Sequence, residues 1–303
     1  MTLSRRDISD LLAQHGLAPR REFGQNFVGD PNTVRRIARL ANVGPGDHVV
    51  EIGAGLGSLT RALAETGATV TAIEIDRGIV PVLRSVVSHC AHVTVIEGDA
   101  QDLDWLTVLA GSQQWVLVAN LPYNVGTPLV MDLLDQVPGI TRMLVMVQRE
   151  VAERMIAVPR TSAYGAVTVK VAYWATARIV GYVPATVFVP QPKVESALVE
   201  ITRRPEPAAA SDRATLFELV KAGFLHRRKM LRGVLADRVT TAQFALANIA
   251  PTARAEELDI FAWGRLTDAV TSSSPSPLVV SPSPLVVSPS PLVASSAVVE
   301  ITE

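Results

Sequence analysis

Cysteine is almost missing from this chain. The single thiol, Cys90, can form no disulfide within the chain and rules out a multi-cysteine metal site. It stands between His89 and His92 with no fourth ligand nearby, so it reads as a structural thiol and no metal is expected. An excess of either charge is missing too. The 28 lysines and arginines face 29 aspartates and glutamates, so any nucleic-acid surface must be local. No apolar stretch reaches the length of a membrane span. The opening MTLSRRDISD has no apolar segment of the kind a secretory signal needs. A soluble, cytoplasmic, monomeric protein with no membrane partner is therefore expected. No GKS or GKT phosphate loop exists, which argues against ATP hydrolysis.

Hydrophobic residues are plentiful: 48% of 303 residues, enough for one large core or two modest ones. Short β-branched runs alternate with segments of helical spacing. HVVEIG, TVTAIEID, VTVIEGD, WVLVAN and RMLVMVQ read as buried parallel strands. GSLTRALAETG, GIVPVLRSVVSH and GTPLVMDLLDQV read as the helices between them. That alternation predicts a doubly wound α/β sheet. AVTVKVAYWATARIVGYV and SALVEITR read as two further strands, paired antiparallel at one edge, with Tyr173 and Trp174 as core residues of the first.

A proline- and alanine-rich break, RRPEPAAASD, then separates a domain at 1–203 from a small helical domain at 211–270. The heptad SPSPLVV starts at Ser274 and repeats at Ser281 and, varied, at Ser288; its prolines forbid a helix. Residues 271–303 are expected to be a disordered tail.

Four strand ends carry ligand-suited chemistry. The first strand runs into EIGAGLGSLT, where Gly53, Gly55 and Gly57 allow a tight turn and close backbone approach. A dinucleotide fingerprint would place glycine or alanine where Ser58 stands, so the NAD pattern fails. Glu74 ends the second strand, spaced to accept from ribose hydroxyls. Asp99 follows the third and can accept from an exocyclic adenine amine. Asn120 ends the fourth, and ligands of open α/β sheets lie outside the strands' carboxyl ends. Taken with Glu51, the pattern E-x-G-x-G-x-G resembles the S-adenosylmethionine site of Rossmann-like methyltransferases.

Asn120-Leu121-Pro122-Tyr123 is similar to the [N/D]-[LIP]-P-[YF] motif of enzymes that methylate adenine N6. The chemistry suits it. An adenine amine is a poor nucleophile because its lone pair is delocalised into the ring. Acceptors on both amino hydrogens would free that pair, and the Asn120 side chain with the Leu121 carbonyl, or Pro122's, can supply them. Pro122 stiffens the turn and Tyr123 can stack on the base. The base must leave any helical stack to arrive there.

Further motifs extend the resemblance from about Arg20 to about Val270. FGQNFVGD, VFVPQPKVESALVEI and GFLHRRKMLRGVL resemble, in order, three segments of the ribosomal RNA small-subunit adenine dimethyltransferases. The resemblance implies a Rossmann-like S-adenosylmethionine-dependent methyltransferase domain followed by a small all-helical domain. It implies that Asn26 and the Val28 backbone close over the cofactor, and that Phe188 stacks on the target base opposite Tyr123. It implies dimethylation of two adjacent adenosines in the 3′-terminal hairpin loop of 16S rRNA, within the assembling 30S subunit. Departures from the family pattern are Val28 for leucine, Glu195 for aspartate, Ala185 for proline and Gly233 for asparagine.

Lys221, Arg227, Arg228, Lys229, Arg232 and Arg238 make one helix strongly basic, read here as a phosphate-contacting surface; Lys193 joins the RNA-binding set. His226 reads as a surface or packing residue. Three rivals remain at this level: a 23S rRNA adenine methyltransferase, a DNA N6-adenine methyltransferase, and a non-catalytic ribosome-assembly factor on the same fold.

Overall fold

Strands covered on both faces carry largely apolar runs, and four such runs, with a half-exposed fifth at one edge, build the parallel part of the sheet in this protein. The computed structural model describes residues 2–122 and 125–272. The chain opens with α1 (Arg5–Gln14), a short strand β1 (Phe27–Val28) and α2 (Pro31–Ala41). Alternation then sets in: β2 (His48–Ile52), α3 (Ser58–Ala64), β3 (Thr69–Glu74), α4 (Val80–Val87), β4 (Val93–Glu97), α5 (Trp105–Val108), β5 (Trp115–Asn120), α6 (Gly126–Gln136) and β6 (Ile140–Gln148). Next come α7 (Arg149–Met155), α8 (Ala166–Trp174), β7 (Ala175–Val183), β8 (Phe188–Val189) and β9 (Ser196–Arg203). Helices α9 (Arg213–Leu225), α10 (Leu231–Val234), α11 (Thr241–Leu246) and α12 (Ile260–Ser272) complete it.

The seven-stranded sheet has the order β4-β3-β2-β5-β6-β9-β7. Its first five strands are parallel, and β9 and β7 close the edge antiparallel. β5 shows why it sits in the middle. Leu117 and Ala119 point into the core under α6, while Val116 and Val118 point to the core under α2 and α3. Only Asn120, at the carboxyl end, emerges half-buried at the rim.

One sequence expectation is corrected here. AVTVKVAYW is not a strand but α8; the edge strand begins only at Ala175. β-branched residues would favour a strand, but α8 is buried on two sides. Val171 packs into the core under the sheet, and Val169 and Tyr173 into that of the terminal helices. A helix apolar all round shows no amphipathic period. Thr168 caps it, accepting from the Gly165 amide at 3.1 Å.

The terminal helices enclose Leu219, Leu231, Phe244 and Trp263, together with Tyr164 from the chain before β7. Their core is therefore continuous with α8 across the expected break. A Cβ on Gly223 would lie 2.7 Å from the Trp263 ring, so glycine lets α9 and α12 approach. The basic run is not a single helix: α9 stops at Leu225, and residues 226–230 form a turn before α10. Beyond Ser272 the expected tail lies outside the described residues. Among the described residues, no helix is long and apolar enough to cross a membrane.

Candidate functional site

The glycine loop leaves β2 at the sheet's carboxyl rim. Gly53, Gly55 and Gly57 all adopt positive φ, at 76°, 55° and 83°. Gly53 and Ala54 donate to the Ile73 carbonyl, pinning the loop across β3. Glu74 then fixes its tip, accepting from the Gly55 amide at 2.7 Å and from the Asp76 amide at 2.9 Å. Each carboxylate oxygen thus holds the protein's own backbone as well as facing the cavity, and burial raises its pKa. Gly57 does not reach the cavity. A Cβ there would lie 2.8 Å from Leu83, so this glycine serves the packing of α3 on α4.

Glu51 lies in the cavity wall with 1% of its surface exposed, and its Oε2 has no hydrogen-bond partner among the described residues. Desolvation pushes its carboxyl up to about 8; the Thr60 hydroxyl opposes that and the Glu74 charge adds to it.

A strap from the N-terminus covers the loop. Phe27 lies over Gly55, where a Cβ would come 3.0 Å from the ring. Gln25 reaches across to buried Asp76, donating to its Oδ2 at 2.9 Å. Arg20 joins the same carboxylate at 3.4 Å. β1 pairs antiparallel with β8, and the Arg5 guanidinium donates to the Thr186 carbonyl at 2.6 Å. The strap ends where Asp30 caps α2, with Pro31 in its first turn.

Two adjoining cavities lie between strap and rim, sharing Phe23, Gly53, Ile75 and Pro122. The first also contains Asn26, Val28, Glu51, Gly55, Glu74, Asn120 and Leu121. The second is apolar, with Ile75, Val125 and Leu129 beside Asp99. Predicted residues from four strand ends and the strap thus meet in one trench. Phe23, Gln25 and Asp76 were not singled out from sequence, although all three stand inside the segments that drew attention.

The rim of β5 is held in detail. The Asn120 amide nitrogen donates to the Asn26 carbonyl at 2.9 Å, and Oδ1 accepts no side-chain or backbone hydrogen bond from the described residues. The Leu121 amide donates to Met146, keeping the turn on β6. The Pro122 carbonyl accepts from Val125 and Gly126, so the first turn of α6 consumes it. The Leu121 carbonyl accepts no hydrogen bond among the described residues, and of the two candidate carbonyls it is the available one. Tyr123 lies outside the described residues.

Phe188 departs from expectation. Its ring is 0% exposed and packs in the core with Val118, Met146, Val183 and Leu198. In this conformation it offers no face to a base, because the apolar ring gains more from the core than from the rim.

The basic residues also divide. Lys193, Lys221, Arg228, Lys229 and Arg232 are exposed. Arg227 instead turns inward, pairing with Glu256 at 2.7 Å and donating to the carbonyls of Thr161 and Ser162. It ties the turn after α9 to the loop before α8. Exposed Arg254, not foreseen, shares a groove with Arg228, Lys229 and Arg232. No group of three or more metal-ligating side chains occurs among the described residues.

Comparison with known proteins places this arrangement. The family profile described as ribosomal RNA adenine dimethylase matches residues 16–272. A ribosomal RNA small subunit methyltransferase A of Thermobifida fusca is 44% identical over 272 residues, covering 86% of this chain and 94% of that one. Its namesake from Bifidobacterium longum subsp. infantis is 42% identical over 284 residues, covering 88% and 92%. Among solved structures, the 23S rRNA methyltransferase ErmE superposes with a TM-score of 0.63 at 26% identity, over 81% of this chain and 100% of that one.

Proposed function

This chain belongs to the ribosomal RNA adenine dimethylase family and is an S-adenosylmethionine-dependent ribosomal RNA adenine dimethyltransferase; we propose that its target is the pair of adjacent adenosines in the 3′-terminal hairpin loop of 16S rRNA. Its substrate would be the assembling 30S particle in the cytoplasm, and it would act as a monomer. Relatives named for the small subunit are 41–44% identical to it over most of both chains, which supports the small-subunit assignment.

The residues present fit the cofactor. Glu51 presents a buried carboxyl oxygen, unpartnered among the described residues, to a cationic ligand; Gly53 lines the trench as bare backbone, while Gly55 makes room for Phe27 of the strap. Glu74 retains lone pairs for ribose hydroxyls beyond those its backbone bonds use. Asp99 faces the apolar cavity where a purine fits against Ile75. When bound, S-adenosylmethionine supplies a methyl group already activated on a positively charged sulfur.

The chain's own work is to shape the acceptor. Asn120 Oδ1 and the Leu121 carbonyl take the two amino hydrogens of a flipped adenine before the first transfer, and one of them takes the single hydrogen left before the second, drawing the nitrogen toward a tetrahedral form. The lone pair is then free to attack in line, so no general base is needed beforehand; the surplus proton leaves to water afterwards. Pro122 and the clamp on Asn26 keep the acceptors aimed without reorganisation.

One observation carries this reading: the Asn120 amide nitrogen is occupied by Asn26, so among the described residues its oxygen is the end left to face a base. Tritiated S-adenosylmethionine incubated with unmethylated 30S particles, 50S particles and duplex DNA tests it. Label should enter 30S and map to two neighbouring adenosines by nuclease digestion and mass measurement. Label in 50S or DNA alone would overturn the assignment.

A further inference from the structure

We propose that Tyr182 and Arg149 form a stacking platform for an unpaired nucleotide next to the target adenosine. The inference rests on the RNA-methylating reading above and extends it to a surface outside the trench.

Tyr182 is 50% exposed, although it lies on a strand of the catalytic sheet. Among the described residues the only other exposed phenylalanine, tyrosine or tryptophan is Phe261, in α12. Register places Tyr182 at the working edge. Asn120 of β5 pairs with Met146, and β6 ends two residues later at Gln148, opposite Ser196 of β9. Ser196 in turn pairs with Val183, the neighbour of Tyr182. The ring therefore stands at the same carboxyl rim as Asn120, three strands along, or about 14 Å at ordinary strand spacing. That is within reach of a neighbouring nucleotide or two.

The ring is also prepared. The Arg149 guanidinium lies 5.2 Å from its centroid. Glu153 at 2.9 Å and Glu195 at 3.1 Å hold that guanidinium. These pairs fix the guanidinium, which offsets one of the two carboxylate charges, so the platform acts by stacking and not by attracting phosphate. Arg36 donates to the Tyr182 carbonyl, and Lys193 lies exposed in the loop leading to β9, so cations border the ring. An arginine fixed beside an exposed aromatic is the surface on which an unpaired base stacks, whatever its identity. Stacking, rather than hydrogen-bond readout, suits a nucleotide that must be held while its neighbour is turned out.

The test uses the full chain on unmethylated 30S particles. Tyr182→Ala should raise KM for the particle roughly five- to hundredfold, the loss expected for one stacked base. Both kcat and S-adenosylmethionine affinity should stay within about twofold of wild type. Tyr182→Phe and Tyr182→Trp should restore KM, whereas Tyr182→Leu, equally apolar, should not. Illumination of a Tyr182→p-benzoylphenylalanine variant on the particle should attach it to 16S rRNA beside the methylated pair. Wild-type KM in Tyr182→Leu, or attachment to a ribosomal protein, would overturn the platform. Failure of the wild-type enzyme to label 30S would overturn the function itself, so the two failures are distinct.

Discussion

Glu51→Gln should reveal a pH-dependent cost built into the cofactor trench. The Glu51 carboxyl is buried in the folded chain, its Oε2 unpartnered, and burial pushes its pKa from 4.5 up to about 8. Below 4.5 both folded and unfolded chains hold the proton, and pH has no leverage through this group. Between 4.5 and about 8 the unfolded chain releases the proton while the folded chain keeps it. Stability then falls as pH rises, at about 1.4 kcal/mol per pH unit for one proton. Over the window from 4.5 to about 8 that amounts to roughly 5 kcal/mol, a large part of a typical domain's stability. Above about 8 the folded chain ionises as well and the slope ends. Glutamine keeps the shape without the proton. Glu51→Gln should therefore match wild type near pH 4.5 and become progressively more stable toward pH 8. Glu74, the charge facing Glu51 from β3, contributes to the shift and is relieved of that repulsion in the variant, so the difference reports Glu51 together with its interaction with Glu74. Urea unfolding at four pH values, without cofactor, reads the difference. Parallel stability curves for the two proteins would refute the reasoning, because they would mean that the Glu51 carboxyl ionises in the folded chain as it does in water.

Other substitutions separate roles that the sequence left merged. Asn120→Ala should slow methyl transfer roughly a hundred- to thousandfold, the usual cost of one transition-state hydrogen-bonding group, with cofactor affinity nearly unchanged; single-turnover labelling and calorimetry check it. Arg227→Ala should lower unfolding stability by about 1–3 kcal/mol, because Glu256 and two carbonyls lose their donor. Arg228→Ala should leave stability alone but weaken particle binding and reduce its salt slope by about 1, as loss of a phosphate contact does. Phe188→Ala should cost about 3–5 kcal/mol of stability, the range for emptying a core aromatic site. A variant of normal stability with failed methylation would return Phe188 to the base-stacking role that its burial speaks against.

What could be read before the fold was known follows from which forces leave a local pattern. Strands β2, β3, β5 and β6 were legible because burial on both faces demands a largely apolar run, and the run of β5 ends where Asn120 meets solvent; β4, a half-exposed edge strand, was legible from its β-branched residues. The glycine loop was legible because positive φ at Gly53 and Gly55 narrows the choice of residue. α8 was not, since a helix shared between two cores has no polar stripe to give it a period. Arg227 and Arg228 are adjacent in the chain, and only the turn after α9 decides that one points inward to Glu256 and the other to solvent.

The same distinction explains why the strap's fastening went unseen while the strap itself did not. FGQNF is a recognisable string, but the contact that holds it down joins Gln25 to Asp76, 51 residues away, and a single polar bridge imposes no periodicity on either partner. Its consequence is nevertheless direct. Asp76 follows two residues after Glu74, whose carboxylate accepts both the Asp76 and the Gly55 amides. Strap, glycine loop and cofactor-facing acid therefore meet at one buried turn after β3. Asn26, one residue beyond Gln25, orients the Asn120 amide. Seating the strap and aiming the acceptor are thus two ends of one short segment. Gln25→Ala should therefore slow methyl transfer in single-turnover labelling, although Gln25 bonds Asp76 and not the Asn120 acceptor, and an unchanged rate would uncouple the two ends.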